Sequence, residues 1–279
     1  MSLRRTAALA MLACLAAACS TPGQSGPTSQ SSPTSPVGTT SAAPAGVAEL
    51  TAKVLEERPH DHAAFTQGLE LVDGVLYEGT GLVGQSEIRA TDPTTGAVSR
   101  RTPLPSEFFG EGITLVGDRV WQITWQDGVA IERDKATFEE KRRVQYQGEG
   151  WGICHDAKNK RLVMSDGSDK LTFRDPDTFE ATGQVSVTAD TGPVTRLNEL
   201  ECVDGTVYAN VWQTDLIMRI DPSSGAVTGR ADLAGLLQPQ DKTGADVLNG
   251  IANVPGTDEF LVTGKLWPKL FRIRFEGHP

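Results

Sequence analysis

Glu111 is the side chain of this sequence with the clearest capacity for proton transfer. It lies between two glycines and after two phenylalanines, in Phe108-Phe109-Gly110-Glu111-Gly112. A carboxylate in narrow, apolar surroundings has a raised pKa and can take up and release protons. A Glu that binds backbone amides at a strand end would have the same sequence context, so the residues alone leave both roles open.

Three of the five tryptophans fall on or just after predicted inner strands: Trp125, Trp151 and Trp212. Tryptophan is usually a core residue. Three of them at equivalent strand ends also fit an aromatic box, which can hold a small amphipathic group or a cation against its π faces. The sequence alone does not decide between core and box.

Polar residues at the ends of other predicted strands add hydrogen-bonding capacity. Lys265 ends a strand in Thr263-Gly264-Lys265, where it would either point its charge at a ligand carbonyl or stay solvated. Asn198 and Asn249 each begin a predicted strand, and each would either bind a substrate or cap the neighbouring turn.

The small number of histidines and the negative net charge argue against metal-dependent catalysis and against nucleic-acid binding. The chain has four histidines, and His60-Asp61-His62 lies in a loop with no evident third ligand, so we predict no catalytic metal. A structural calcium held by axial carbonyls and carboxylates stays open as an alternative. The formal net charge of −10 argues against nucleic-acid binding, which requires a basic surface.

The elements that must position these residues are copies of one repeated segment. Each copy pairs a Gly, or once a Glu, with an aliphatic residue, and continues as strand, turn and strand. Successive copies start 44, 40, 47 and 51 residues apart, at Gln67, Glu111, Trp151, Asn198 and Asn249. A period in the forties with several strands per repeat is typical of propeller blades. We therefore predict an all-β, five-bladed β-propeller over residues 47–279, with a site on its axis.

Two further patterns complete the predicted blades. Val47–Leu55 and the cleanly alternating Lys269–Phe275 are expected to close one blade with strands from both termini. Turns between outer strands are predicted at a second series in step with the first: Asp92-Pro-Thr-Thr-Gly96, Asp134-Lys-Ala-Thr-Phe138, Asp175-Pro-Asp-Thr-Phe179 and Asp221-Pro-Ser-Ser-Gly225.

Residues 1–19 have the organisation of a signal peptide. Arg4 and Arg5 precede an apolar stretch, Ala7–Ala18, that is too short to span a bilayer. The stretch ends in Ala16-Ala17-Ala18-Cys19, which resembles a bacterial lipobox with Ala in place of the usual Leu. Lipidation of Cys19 would hold the mature protein on a membrane surface.

Residues 20–46 contain no charged and no aromatic side chain, and we predict a disordered tether there. The expected product is an exported protein on the outer face of the cytoplasmic membrane, with plain secretion as the alternative. Export also permits a disulfide between Cys154 and Cys202. Strand alternation, however, points these two side chains in opposite directions, so we expect two buried thiols.

Eight segments, in order, resemble the glutaminyl-peptide cyclotransferases of plant and bacterial type. The resemblance extends from about residue 50 to 276, and its motifs are Ala64-Phe65-Thr66-Gln67-Gly68-Leu69, Phe109-Gly110-Glu111-Gly112-Ile113-Thr114, Gln122-Ile123-Thr124-Trp125, Gly150-Trp151-Gly152, Leu197-Asn198-Glu199-Leu200-Glu201, Asn210-Val211-Trp212-Gln213-Thr214-Asp215, Leu248-Asn249-Gly250-Ile251-Ala252 and Thr263-Gly264-Lys265-Leu266-Trp267-Pro268. That family is a five-bladed propeller and is unrelated to the zinc-dependent animal enzymes.

The resemblance implies a reaction and a set of site residues. The substrates would be peptides or proteins with N-terminal Gln, which cyclises to pyroglutamate with loss of ammonia in an enzyme expected to be a monomer. Glu111 would handle the proton. The substrate site would be lined by Phe65, Gln67, Phe109, Trp125, Trp151, Asn198, Trp212 and Lys265.

Two other classes of protein compete with this interpretation. A non-catalytic propeller could bind exported peptides or cell-wall components. A five-bladed glycosidase would need a second carboxylate across the axis from Glu111, for which Glu201 and Asp156 are the candidates. We interpret Glu199 and Glu201, which share one face of a strand, as structural hydrogen-bonding residues.

Overall fold

The structure is a computed structural model that describes residues 46–277, which are built almost wholly from β-strands. The strands in chain order are β1 (Ala48–Pro59), β2 (Thr66–Val72), β3 (Val75–Thr80), β4 (Glu87–Thr91), β5 (Val98–Pro103), β6 (Gly110–Val116), β7 (Arg119–Thr124), β8 (Val129–Asp134), β9 (Glu140–Gln145), β10 (Ile153–Asp156), β11 (Arg161–Ser165), β12 (Lys170–Arg174), β13 (Ala181–Ser186), β14 (Thr188–Ala189), β15 (Gly192–Pro193), β16 (Leu197–Val203), β17 (Thr206–Val211), β18 (Leu216–Asp221), β19 (Ala226–Asp232), β20 (Leu248–Asn253), β21 (Glu259–Gly264) and β22 (Lys269–Gly277). Two short 3-10 helices span Ala157–Asn159 and Pro239–Asp241.

The strands form antiparallel meanders. Three separate sheets have the orders β2-β3-β4-β5, β6-β7-β8-β9 and β10-β11-β12-β13. The remaining long strands form one sheet of order β16-β17-β18-β19-β1-β22-β21-β20. In that sheet β1 pairs antiparallel with β22 and parallel with β19. The predicted pairing of the two terminal strands is therefore confirmed.

The first strands of the meanders lie next to one another in a nearly closed, barrel-like arrangement. β2 contacts β6, β6 contacts β10, β10 contacts β16, β16 contacts β20, and β20 contacts β2. The predicted all-β class is confirmed. Glycine permits this convergence, because a Cβ at Gly112 would lie 2.8 Å from the backbone nitrogen of Ile153. Gly68 and Gly152 meet the backbone of the next inner strand in the same way.

Glu199 occupies the position in its repeat that glycine holds in the other copies. Its Oε1 accepts a hydrogen bond from the Leu69 amide at 3.2 Å, and its Oε2 accepts one from the Ile251 amide at 2.8 Å. Glu201 accepts one from the Asn253 amide at 2.7 Å. The two carboxylates thus make the structural hydrogen bonds predicted for them, and Glu199 connects β16 to both β2 and β20.

The aspartates of the second series cap the turns between third and fourth strands. Asp92 Oδ1, for example, accepts the amides of Thr94 and Thr95 at 2.9 and 2.7 Å. Asp134, Asp175 and Asp221 bond the amides that follow them in the same manner. These predicted turns are confirmed.

The prediction that Cys154 and Cys202 are separate thiols is wrong, because the two form a disulfide with Cα atoms 5.4 Å apart. Cys154 lies in β10 and Cys202 in β16, and both contribute to one apolar core between neighbouring sheets. Strand alternation does place the side chains on opposite faces of their sheets. In adjacent packed sheets, however, opposite faces are the two that meet.

The predicted signal peptide, Cys19 and the predicted tether up to residue 45 lie outside the described residues. Within residues 46–277, no helix is long and apolar enough to cross a membrane.

Candidate active site

A cavity of about 350 Å³ opens where the first strands of the meanders begin. The structure brings all nine predicted site residues to its walls, together with three that the sequence analysis did not select. The lining residues are Phe65, Gln67, Phe109, Glu111, Trp125, Trp151, Asn198, Trp212, Gln213, Asp246, Val247 and Lys265.

The repeat explains why residues far apart in sequence meet here. Gln67, Glu111 and Asn198 are each the second residue of a first strand. Trp125, Trp212 and Lys265 each directly follow a second strand, at the end of β7, β17 and β21. In an antiparallel pair, the start of the first strand lies beside the end of the second strand. Both sets of side chains therefore lie at the same end of the barrel.

Glu111 is 5% exposed, and one of its two carboxylate oxygens has a hydrogen-bond partner. Its Oε1 accepts a hydrogen bond from Gln67 Nε2 at 3.1 Å, whereas its buried Oε2 has no partner among the described residues. Burial raises the pKa of this carboxyl well above its usual range; the Lys265 charge opposes that rise and the Glu149 charge adds to it. The site therefore holds a carboxyl poised to exchange a proton, with one oxygen left for a ligand.

Hydrogen bonds from Asn249 hold Gln67 in place. Asn249 Nδ2 donates to the carbonyl oxygen of Thr66 at 3.0 Å and to Gln67 Oε1 at 3.3 Å. Both the oxygen and the nitrogen of the Gln67 side-chain amide are thus hydrogen-bonded within the protein. Asn249, which the sequence analysis left between substrate binding and capping, is not among the residues that line the cavity.

Asn198 and Lys265 are the other buried polar groups of the wall. Asn198 is 2% exposed, and its Oδ1 finds no partner within residues 46–277. Lys265 is 5% exposed, with its Nζ 4.7 Å from the centre of the Phe65 ring. Burial lowers the pKa of Lys265, while the Glu111 and Asp246 carboxylates raise it. Asn198 thus adds a free acceptor to that of Glu111, and Lys265 adds a cation that lies against an aromatic face.

The aromatic residues form two packed groups along the wall. Phe109 lies 6.1 Å from Phe65 and 5.6 Å from Trp125 between ring centres. Trp151 and Trp212 pack edge to face at 5.4 Å. None of the three tryptophans is buried, and Trp125 is 37% exposed. Their position corresponds to the aromatic box rather than to a core.

Glu149 joins the two aromatic groups, and the sequence analysis missed it. Its Oε2 accepts hydrogen bonds from the indole nitrogens of Trp125 at 2.8 Å and Trp151 at 3.0 Å. Its Oε1 accepts one from Gln126 at 2.9 Å. Gly148-Glu149-Gly150 repeats the Gly-Glu-Gly pattern around Glu111, and this signal could have identified it. Asp246 and Val247 follow a long loop without such a pattern.

One of the two histidines that were considered for metal binding makes other contacts in the structure. His60, in the loop that the sequence analysis considered for metal binding, contacts the Trp267 carbonyl oxygen at 2.7 Å and Glu78 at 3.2 Å. Across residues 46–277, no group of three or more His, Cys, Asp or Glu side chains is arranged to hold a metal ion.

Comparison with known proteins gives a consistent result. A family model described as glutamine cyclotransferase matches residues 28–275. A glutaminyl-peptide cyclotransferase of Arabidopsis thaliana is 39% identical over 230 residues, covering 80% of this chain and 71% of the relative. The crystal structure of Myxococcus xanthus glutaminyl cyclase matches with a TM-score of 0.77 and 36% identity, over 84% of this chain and 100% of that one.

Proposed function

This chain belongs to the glutamine cyclotransferase family, and from that membership we propose that it converts N-terminal glutaminyl residues of peptides and proteins to pyroglutamate without a metal ion. The observation that carries the proposal is the free Oε2 of Glu111, which is buried in a pocket walled by aromatic rings. The structural carboxylate Glu199, by contrast, has both oxygens paired.

The reaction is an intramolecular acyl transfer. The free α-amine of the terminal glutamine attacks its own side-chain carbonyl carbon, a C–N bond closes the five-membered lactam, and the bond to the amide nitrogen breaks. Ammonia leaves with the proton that the attacking amine loses. Because nucleophile and electrophile belong to one residue, holding that residue in its folded conformer supplies most of the proximity effect.

Glu111 moves the proton between the two nitrogens. Its free Oε2 accepts the proton of the attacking amine and delivers it to the departing nitrogen, which is a poor leaving group until it is protonated. The α-amine has an ordinary pKa of about 7.7–8.0, so a large part of it is already neutral at slightly basic pH. Gln67, whose amide bonds Glu111 Oε1, is best interpreted as holding this carboxyl in place.

Lys265 and Asn198 complete the polar contacts. Lys265 is placed to stabilise the negative charge that develops on the attacked carbonyl oxygen, since a buried cation is most effective in a site of low dielectric. The free Oδ1 of Asn198 would accept an N–H group of the substrate. The aromatic residues would enclose the folded glutamine side chain and exclude water.

The rest of the molecule fits five blades around this pocket. Three blades are the separate four-stranded sheets, the fourth is β16–β19, and the fifth combines β20, β21 and β22 with β1. We further propose that residues 1–19 are a signal peptide, that residues 20–46 are a disordered tether, and that lipidated Cys19 holds a monomer on the outer face of the cytoplasmic membrane.

The test is ammonia release from a Gln-initiated dipeptide by the purified protein, with and without a metal chelator. We expect ammonia in both cases, and an N-acetylated dipeptide as the control should release none because its amine is blocked. Folded protein that binds the dipeptide but releases no ammonia would contradict the proposal and support a non-catalytic binder. The glycosidase alternative has little support, because Glu201 and Asp156 do not line the pocket and bond to Asn253 and Arg161.

A further inference from the structure

A single carboxylate connects the two halves of the aromatic wall. Phe65, Phe109 and Trp125 pack in series on one side, and Trp151 packs against Trp212 on the other. No ring contact between Trp125 and Trp151 is found among the described residues, and the two indoles meet only through Glu149. We call this bridge the indole clasp: Glu149 and the indole N–H groups of Trp125 and Trp151.

We propose that Glu149 is a positioning residue that fixes the two halves of the aromatic wall at the spacing that grips a glutaminyl side chain. The inference rests on the proposed function. Glu149 is absent from the residues that line the cavity, so it acts through the indoles and not by contact with the substrate.

The geometry favours a clasp over an incidental surface contact. One oxygen receives both indole N–H groups at 2.8 and 3.0 Å, which limits how far apart the two indole nitrogens can move. The other oxygen is held by Gln126 at 2.9 Å, so the carboxylate has little freedom to rotate. Hydrogen bonds to an ionised acceptor are about twice as strong as those between neutral groups. Burial raises the pKa of Glu149, but these hydrogen bonds together outweigh burial and hold the pKa below its usual value, so the acceptor is ionised at neutral pH.

The clasp also places a negative charge near Glu111. That charge favours the protonated form of the Glu111 carboxyl, and the Lys265 charge opposes it. Removing the Glu149 charge would therefore lower the Glu111 pKa. Two variants separate this electrostatic effect from the positioning effect: Glu149→Gln keeps an oxygen acceptor and loses the charge, whereas Glu149→Ala loses both.

The direct test of the clasp uses the five indole N–H resonances in a ¹H–¹⁵N spectrum of the folded protein. Glu149→Ala should shift the Trp125 and Trp151 resonances upfield and leave those of Trp121 and Trp267, which bond backbone oxygens, in place. Asp127→Asn is the matched control, since it removes an exposed charge beside Trp125 and leaves both indole bonds intact. Unmoved Trp125 and Trp151 resonances in Glu149→Ala would overturn the proposal.

Steady-state kinetics then test the role in binding. For Glu149→Ala we expect KM for a Gln-initiated dipeptide to rise about 10-fold and kcat to fall as well, because the glutaminyl side chain that loses its positioning is itself the reacting group. Glu149→Gln should keep KM near that of the parent and move the acidic limb of kcat/KM to lower pH. A Glu149→Ala enzyme with unchanged KM would refute the positioning role.

These measurements also separate the inference from the function on which it rests. If the parent protein released no ammonia, the proposed reaction would be wrong, yet the resonances would still report the clasp. Titration with the dipeptide, followed by the same two indole resonances, would then show whether Glu149→Ala weakens peptide binding.

Discussion

The chemistry of the pocket depends on how burial and two charges act on one carboxyl. Burial raises the pKa of Glu111, the Lys265 charge lowers it, and the Glu149 charge raises it. Neither charged neighbour bonds Glu111 directly, and the one hydrogen bond that its side chain makes within residues 46–277 comes from Gln67. The proton affinity of Glu111 can therefore be adjusted in either direction by changing residues that leave its hydrogen bond intact.

Glu111→Gln is expected to abolish most turnover and leave the fold intact. A neutral amide of the same size keeps the packing but cannot accept the proton of the attacking amine, so kcat should fall by about 10²–10⁴-fold. Ammonia release and circular dichroism measured on the same sample would check both parts. A variant with normal kcat would show that another group carries the proton.

The same substitution should alter how stability depends on pH. Because burial raises the Glu111 pKa in the folded state, the native protein keeps a proton that the unfolded chain releases. This residue's contribution to the free energy of unfolding therefore falls as pH rises from the ordinary carboxyl range towards the folded-state pKa. The Glu111→Gln side chain does not ionise, so the variant does not lose this part of its free energy of unfolding as pH rises. Its melting temperature should therefore exceed the parent's at pH 8 and match it near pH 4. Equal differences at both values would contradict the raised pKa.

Lys265→Met should shift the pH profile in the direction opposite to that of Glu149→Gln. Without the Lys265 charge, ionised Glu111 loses its stabilising cation and the pKa of Glu111 rises further. The acidic limb of kcat/KM, which follows ionisation of Glu111 together with deprotonation of the substrate amine, should move to higher pH, and kcat should fall because the oxyanion loses a donor. A pH–rate series on parent and variant gives both quantities, and an unshifted limb would argue against coupling between the two residues.

At the scale of single residues, the repeat in the sequence pointed to site residues that share one place in its copies. It did not point to Glu149, which lies outside the copies. Glu111, Gln67 and Asn198 are recognisable because each has the same place in its copy. Glu149 lies in the connection before a copy, and its role depends on two indoles that only the assembled barrel brings within reach. Spacing along one chain cannot show such a contact.

At the scale of the strands, Glu199 is the informative exception. Glycine lets the inner strands touch at Gly68, Gly112 and Gly152, whereas the fourth copy uses the Glu199 carboxylate to bond the two strands beside it. The sequence pattern predicted that Glu199 and Glu201 share a face, because strand side chains alternate. It could not predict their partners, Leu69 and Ile251 among them, since these depend on which strands meet at the axis.

Glu199→Ala should destabilise the fold strongly. It leaves two buried backbone N–H groups without an acceptor, each at a cost of about 1–3 kcal/mol, so the free energy of unfolding should fall by about 2–6 kcal/mol. Denaturant unfolding measures this change. Glu201→Ala is the matched control and should cost less, because the Glu201 carboxylate bonds only one neighbouring strand among the described residues, through the Asn253 amide of β20. Equal costs for the two variants would contradict the bridging role.

At the scale of the whole molecule, two connections join neighbouring parts of the barrel. The β1 strand bonds β22 on one side and β19 on the other, and the disulfide joins β10 to β16. Periodicity predicted the strands and the terminal pairing. It did not predict that β1 would merge two meanders into one sheet, because that depends on how closely two edges approach.

Replacing both Cys154 and Cys202 by Ser should lower the stability of the barrel without changing its fold. The bond closes a loop with a sequence separation of 48 residues, for which chain entropy predicts about 4 kcal/mol as an upper value. We expect a loss of about 2–4 kcal/mol. Thermal melts with and without reductant would test this: reductant should destabilise the parent and leave the double variant unchanged. A parent insensitive to reductant would contradict the bond.

The contact of the innermost strands at Gly68, Gly112 and Gly152 bears on what kind of chain can reach Glu111. Because backbone meets backbone there, we expect little space between the inner strands beneath the pocket, so that a polypeptide substrate would enter from the open side with its end first. A glutamine inside a chain has backbone leaving on both sides and would need a groove with two exits. Under the proposed function, we expect the glycines that let the sheets converge to favour chain termini through the architecture itself, before any side chain recognises the amine.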